Sequence, residues 1–305
     1  MKKAIITGAT GLVGLCVARY LSAMGTDVLC LGRQSLNNTA AAQLFGDKIS
    51  YLQLPMEDIY SLEAQLEKIK WLPKNECIFF HFAWQGNKRL TDGTFADQLI
   101  NATYAANAIR TAKKIGCIKF INAGTLEETY IEQHLKNAVN KVYQSPQSDY
   151  ALAKLASRDL CKMVAYMEKI DYVHTRLSIP LAPDLSKGSY VAKTLKLISE
   201  KRDYTPPQNQ ALVDIISTDD VARAYQLIGN FGLNTSDYFI GTARPATLAE
   251  YFDCFTRYIH CEGKGTLENK CQGELKMFST EALHRDTGFV PAVQFENIVQ
   301  LQQTQ

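Results

Sequence analysis

The sequence is short of everything that would tie it to a charged polymer, a membrane or an oxidising compartment. Its 33 Lys and Arg nearly cancel its 31 Asp and Glu, leaving a net charge of +2. So small an excess excludes the strong basic field that gathers nucleic acid or anionic lipid, and neither is expected as a partner. No run approaches the roughly 20 apolar residues that a membrane helix needs. Met1-Lys2-Lys3 is basic, but Gly8-Ala9-Thr10-Gly11 breaks the apolar stretch too early for a secretory signal. The eight cysteines, at 16, 30, 77, 117, 161, 254, 261 and 271, include no C-x-x-C pair. Several sit inside apolar runs, where cysteine acts as a small hydrophobe. Reduced thiols and a cytoplasmic location are therefore expected, rather than a disulfide framework. Repeats and low-complexity tracts are lacking, and no metal is expected.

What is present is enough apolar residue, 46% of 305, to bury a large core. Strand-like and helix-like stretches alternate through the first half. Ala4-Ile5-Ile6 reads as a buried strand, and Leu12 to Leu21 as a helix. Further strands are expected at Asp27–Leu31, Ile49–Gln53, Cys77–Ala83, Ile118–Asn122 and Tyr172–Leu177. Between them fall helices at Ser61–Lys70, about Asp97–Ile115 and Ser148–Glu168. Such alternation predicts an α/β fold with a doubly wound parallel sheet and a smaller C-terminal lobe. The division expected is a dinucleotide-binding domain over 1–177 and a substrate lobe over 178–305, with about 211–222 and 238–242 returning to the main sheet. Thr247-Leu248-Ala249-Glu250 is a capping box that opens a late helix.

The first strand runs into Gly8, Gly11 and Gly14, a G-x-x-G-x-x-G turn. Gly8 permits the tight bend, Gly11 lets the backbone approach a pyrophosphate, and Gly14 lets the helix lie close on its strand. The amides at the start of that helix then face phosphate. A dinucleotide-binding fold usually holds a ribose hydroxyl with an acid at the tip of the second strand. Here the tip is Gly32-Arg33-Gln34-Ser35, without an acid. Gly32 is expected to leave room for a 2′-phosphate and Arg33 to pair with it, so NADP(H) is preferred over NAD(H).

Tyr150 and Lys154 are spaced i, i+4 and share one helix face. An ammonium beside the phenol is expected to bring its pKa toward neutrality, and the lysine to hold the nicotinamide ribose. Thr125, at the end of the Ile118–Asn122 strand, offers a hydroxyl for a reacting oxygen. Glu127 and Glu128 read as solvated loop charges, and Trp84 as a wall of the substrate pocket, a lid or a core residue.

Together these residues resemble the extended short-chain dehydrogenase/reductase family, in its nucleotide-sugar epimerase, dehydratase and reductase branch. The likeness is carried by Thr7 to Gly14, Asp58-Ile59, His81-Phe82-Ala83, Asn101, Gly124-Thr125, Tyr150 with Lys154, and Val213-Asp214 to Ala222. The resemblance implies Thr125, Tyr150 and Lys154 as the catalytic set, with Asn101 assisting. It implies a cofactor site of Gly8, Thr10, Gly11, Leu12, Val13, Gly14, Arg33, Asp58, Ile59, Phe82, Ala83, Trp84, Tyr150 and Lys154. Trp84, Thr125, Glu127 and Ser178 are the implied substrate residues. A homodimer through the helices around Asp97–Ile115 and Ser148–Glu168 is implied as well. Two departures matter: Leu126 replaces the acid of a dehydratase and cannot protonate a leaving hydroxyl, and Val213 replaces the arginine that contacts the nucleotide diphosphate. Lys187, Lys193, Lys196 and Arg202 are alternative handles. Reduction of a nucleotide-linked 4-keto sugar with NADPH is the expected activity. An NAD-dependent 4-epimerase and a non-catalytic NADP(H)-sensing regulator are the alternatives.

Overall fold

The computed structural model describes the chain apart from residues 47, 87–93, 138–147, 186–188, 208–209, 261–266, 268–274 and 300–305. The strands are β1 (Lys3–Thr7), β2 (Asp27–Gly32), β3 (Ile49–Gln53), β4 (Cys77–His81), β5 (Cys117–Thr125), β6 (Asp171–Leu177), β7 (Ile179–Leu181), β8 (Leu212–Val213), β9 (Ile215–Ser217), β10 (Asp237–Ile240) and β11 (Ala246–Thr247). The helices are α1 (Leu12–Ala23), α2 (Asn38–Phe45), α3 (Leu62–Lys68), α4 (Phe95–Lys114), α5 (Glu127–Asn137), α6 (Ser148–Glu168), α7 (Tyr190–Ser199), α8 (Thr218–Phe231), α9 (Leu248–His260) and α10 (Glu281–Thr287).

Seven strands form one parallel sheet in the order β10-β6-β5-β4-β1-β2-β3. Side chains alternate across it, as a sheet covered on both faces requires. Ala4, Ile6, Ile78 and Phe80 pack under α1 and α8, whereas Ile5, Cys77 and Phe79 pack under α3, α4 and α6. That is why the strands read as unbroken apolar runs. Lys119, buried on β5, caps α8 by donating to the carbonyls of Ile228, Gly229 and Gly232 at 3.5, 3.1 and 2.8 Å. A cation at a helix C-terminus offsets the dipole there.

Two expectations are corrected. Residues 211–216 do not rejoin the main sheet: β8 pairs antiparallel with β11, and β9 pairs with β7, in two separate two-stranded sheets. What returns is α8, which packs its apolar face on the sheet beside α1, followed by edge strand β10. Glu127 and Glu128 are not loop charges, because they open α5, where acids complement the positive helix end. Glu128 is fully buried. The Thr247–Glu250 capping box forms, with Glu250 N–H on Thr247 Oγ1 at 3.2 Å and Thr247 N–H on Glu250 Oε2 at 2.9 Å. A separate cluster around Leu181, Leu195, Ile215, Phe252 and Phe255 is the core of the C-terminal part. Among the described residues, no helix is long and apolar enough to cross a membrane.

Candidate active site

β1 and β4 are neighbours from which the chain winds in opposite directions, so their carboxyl ends open a crevice. A cleft of about 600 Å³ lies there. Gly8 turns the chain with φ +65°, a conformation that side chains resist. A Cβ on Gly8 would stand 2.7 Å from the Ala83 amide nitrogen, and one on Gly14 would stand 2.8 Å from Ala9 Cα. The glycines are thus set by backbone crossing backbone. Thr7 Oγ1 ties the two strand ends, accepting from Ala83 N–H at 3.3 Å and facing His81 Nδ1 at 2.9 Å. Gly11 is the N-cap of α1 and brings no side-chain cap, so first-turn amides are free to face the cleft. Thr10, Leu12 and Val13 line it beside them.

At the β2 tip, Arg33 and Gln34 line the cleft. Among the described residues Arg33, which is exposed, has no ion-pair partner. The room expected at Gly32 itself is taken, because a Cβ there would meet the Tyr51 hydroxyl at 2.6 Å. Tyr51 donates to Gln34 O at 2.7 Å and so braces the tip. The opposite lip is Leu54, Pro55, Met56 and Glu57. Asp58 follows them but is exposed and does not line the cleft, and the Ile59 side chain is fully buried in the core. Among the described residues, Glu57 is therefore the carboxylate that lines this end of the cleft.

At the other end the strand β5 and the helix α6 bring Thr125, Tyr150 and Lys154 together. Burial pushes the Tyr150 phenol above its ordinary value, the carboxylates of Glu128 and Glu127 push the same way, and the Thr125 side chain opposes them. The expected lowering of the phenol by Lys154 does not occur. The Lys154 ammonium donates to Ala123 O at 2.7 Å and lies 3.9 Å from the centroid of the Trp84 ring, with the Tyr150 ring centroid at 5.8 Å. Burial lowers Lys154 to about 8, with Glu128 opposing. His81 is lowered to about 3 by burial and by the Lys154 charge.

Trp84 stands edge-on to Tyr150, ring centroids 5.7 Å apart. Its indole N–H donates to Gln98 Oε1 at 2.7 Å. Asn101 lines the same cleft. Its amide is tied to the loop, accepting from Gln85 N–H at 2.6 Å and donating to Gln85 O at 3.0 Å and Gln98 O at 2.9 Å. Asn101 thus fixes the segment that carries Trp84. Phe82 and Ala83 line the cleft, and so does Ser178, buried, whose Oγ has no partner among the described residues. A buried orphan hydroxyl costs free energy unless something meets it. That atom, the uncapped α1 amides and the glycine cradle all suit a dinucleotide.

Glu127 does not line the cleft; its N–H donates to Thr125 Oγ1 at 3.4 Å. Lys193, Lys196 and Arg202 are exposed and away from the cleft, and Lys187 falls outside the described residues, as do Asn87, Lys88 and Arg89. Sequence reasoning missed Glu57, Gln98, Glu128 and His174. Of these only Glu128 carried a signal, an acid in the first turn of a helix that begins where a strand ends.

Residues 4–241 match the sequence model of the NAD dependent epimerase/dehydratase family. Among solved structures, UDP-glucose 4-epimerase from Thermotoga maritima, determined with UDP-glucose, superposes with a TM-score of 0.74 at 18% identity, covering 97% of this chain and 95% of that one. UDP-glucose 4-epimerase from Thermus thermophilus, determined with NAD, gives 0.72 at 19% identity, with 97% and 96% covered. UDP-N-acetylglucosamine 4-epimerase from Bacillus cereus gives 0.72 at 15% identity, with 98% and 94% covered. At these identities the likeness establishes the doubly wound fold.

Proposed function

The chain belongs to the NAD dependent epimerase/dehydratase family, and on that premise we propose that it reduces the 4-keto group of a nucleotide-linked sugar with NADPH. The observation that carries this reading is that Thr125, Tyr150 and Lys154 line one cleft with the glycine turn and Arg33. A tyrosine phenol, protonated at neutral pH, can give its proton to an alkoxide as that charge develops. A dinucleotide bound in the cleft supplies the hydride.

The chain's residues supply the rest. The α1 amides and the glycine turn hold the pyrophosphate, Arg33 the 2′-phosphate, and Lys154 the ribose beside the nicotinamide. Thr125 hydrogen-bonds the carbonyl oxygen of the sugar, and Tyr150 protonates that oxygen as charge develops on it. Trp84 walls the pocket and keeps water from Lys154. Leu126 is buried against Phe239 and Phe278, so no acid stands there to expel a hydroxyl, which argues against dehydration.

Epimerisation with a retained NAD is the second reading, favoured by Glu57 on the cleft lip, where an acid can accept from ribose hydroxyls. A sensor without catalysis has no use for the Thr125–Tyr150 pair. The dinucleotide released by acid from purified protein separates the readings. A protein free of NAD that consumes NADPH with a nucleotide-linked 4-keto sugar supports reduction. Stoichiometric NAD with interconversion of 4-epimers, and no consumption of NADPH, refutes it.

A further inference from the structure

Behind Thr125 lies a buried carboxylate that no part of the dinucleotide cleft requires. Glu128 is fully buried in the first turn of α5. Its Oε1 accepts from Thr125 N–H at 2.9 Å, and its Oε2 lies 2.8 Å from His174 Nε2. His174 is itself held on β6, with Nδ1 3.4 Å from Asn122 Nδ2 and 3.3 Å from the Tyr172 hydroxyl. An amide nitrogen can only donate, so Nδ1 accepts and the ring proton sits on Nε2, facing Glu128. Gly124 owes its missing side chain to this pair, since a Cβ would collide with Glu128 Oε1 and His174 Nε2. From the other side, Lys154 donates to Ala123 O at 2.7 Å. The strand end Ala123-Gly124-Thr125 is thus gripped between a buried anion and a buried cation.

A carboxylate taken wholly out of water is costly, and a neutral acceptor would satisfy the Thr125 amide as well. The charge itself needs a reason. We propose that Glu128, oriented by His174, is a positioning residue of the active site: it fixes the Thr125 backbone at the strand end and, across that strand end, supplies the counter-charge for the Lys154 ammonium. Among the described residues, the titratable groups around Lys154 are Glu128 from α5, Tyr150 and Cys161 from α6, and His81 from β4. Of these, Glu128 does most to oppose the loss of charge that burial imposes on Lys154. The inference rests on the proposed function only in that Thr125 and Lys154 are the acting groups.

The test reads Lys154 directly, by ¹⁵N NMR of the lysine Nζ groups, with the resonance assigned by its loss in Lys154→Met. Glu128→Gln keeps an oxygen for the Thr125 amide and deletes only the charge. The Lys154 midpoint should fall by about one pH unit or more in this variant, since losing the opposite charge that favours the ammonium is worth that much. The fall in NADH affinity at high pH should move down with it, while affinity near pH 6 stays close to wild type. Glu128→Asp keeps the charge but draws it back by one methylene, so its midpoint should fall by less; it also decides the matter if Glu128→Gln does not fold. A folded variant with an unmoved Lys154 midpoint would overturn the proposal and leave the oxidoreductase reading standing.

Discussion

The Lys154 ammonium rests 3.9 Å from the centroid of the Trp84 ring, and Gln98 fixes the indole by its N–H at 2.7 Å. Lys154 is therefore tied to an aromatic face and to Ala123 O, rather than to the phenol four residues before it. A cation held over an indole gains about 0.5–2 kcal/mol, enough to bias its position but small beside a dinucleotide's binding energy. A ribose that reaches Lys154 must meet Trp84 first. Binding of NADPH should consequently change Trp84 emission in a Trp71→Phe background, which removes the only other tryptophan. Saturating NADPH without any change in that emission would place the ribose elsewhere.

Arg33 is expected to choose the cofactor. It is exposed on the cleft lip, and among the described residues no acid pairs with it. Losing a charge-assisted phosphate contact costs about 1.5–3 kcal/mol. Arg33→Ala should weaken NADPH binding tenfold or more and leave NADH almost unchanged, by direct titration. Equal weakening of both would remove Arg33 from the 2′-phosphate.

The low value of Lys154, about 8, gives a pH dependence with a definite sign. Burial disfavours the ammonium, so it discharges about two units earlier than an exposed lysine near 10.4. Dinucleotide affinity should hold below pH 8 and decline above it, and Lys154→Met should bind weakly with no such decline. Because the folded state releases this proton first, the same group should make the fold more stable as pH rises from about 8 to about 10.4. A wild-type affinity flat to pH 10 would contradict the assignment.

The outer faces of α4 and α6 carry Phe95, Leu99, Ile100, Leu152, Leu160 and Met163, all exposed, on two helices packed side by side. Apolar surface of that extent is the mark of an interface. A homodimer through these helices is the expected state, and Met163→Glu should shift it to monomer in sedimentation equilibrium. Wild-type protein sedimenting as a monomer at micromolar concentration would refute the dimer.

The sequence showed the elements whose cause is local. Gly8, Gly11 and Gly14 lie within one βα turn, and Tyr150 with Lys154 within one helix turn, so spacing alone placed them. What it hid depends on residues far apart in the chain. Glu128 is buried because His174 is its partner, 46 positions away. Gly32 has Tyr51 over it because β2 and β3 run in register, with Gly32 opposite Gln53. Residues 211–216 read as one strand, but they split between β8 and β9, whose partners are short strands that no periodicity announces. Spacing put the phenol and the ammonium on one face, yet their separation was set by Ala123 and Trp84.

Turnover of Tyr150→Phe tests the central claim most directly. The substitution keeps the ring packed against Trp84 and removes only the hydroxyl that shares the cleft with Thr125. General-acid help of this kind supplies on the order of a hundred- to ten-thousandfold in rate. With NADPH and a nucleotide-linked 4-keto sugar, kcat should fall by about that factor while NADPH affinity stays near normal. A variant turning over within about threefold of wild type, far short of a general acid's contribution, would mean that the proton comes from another group.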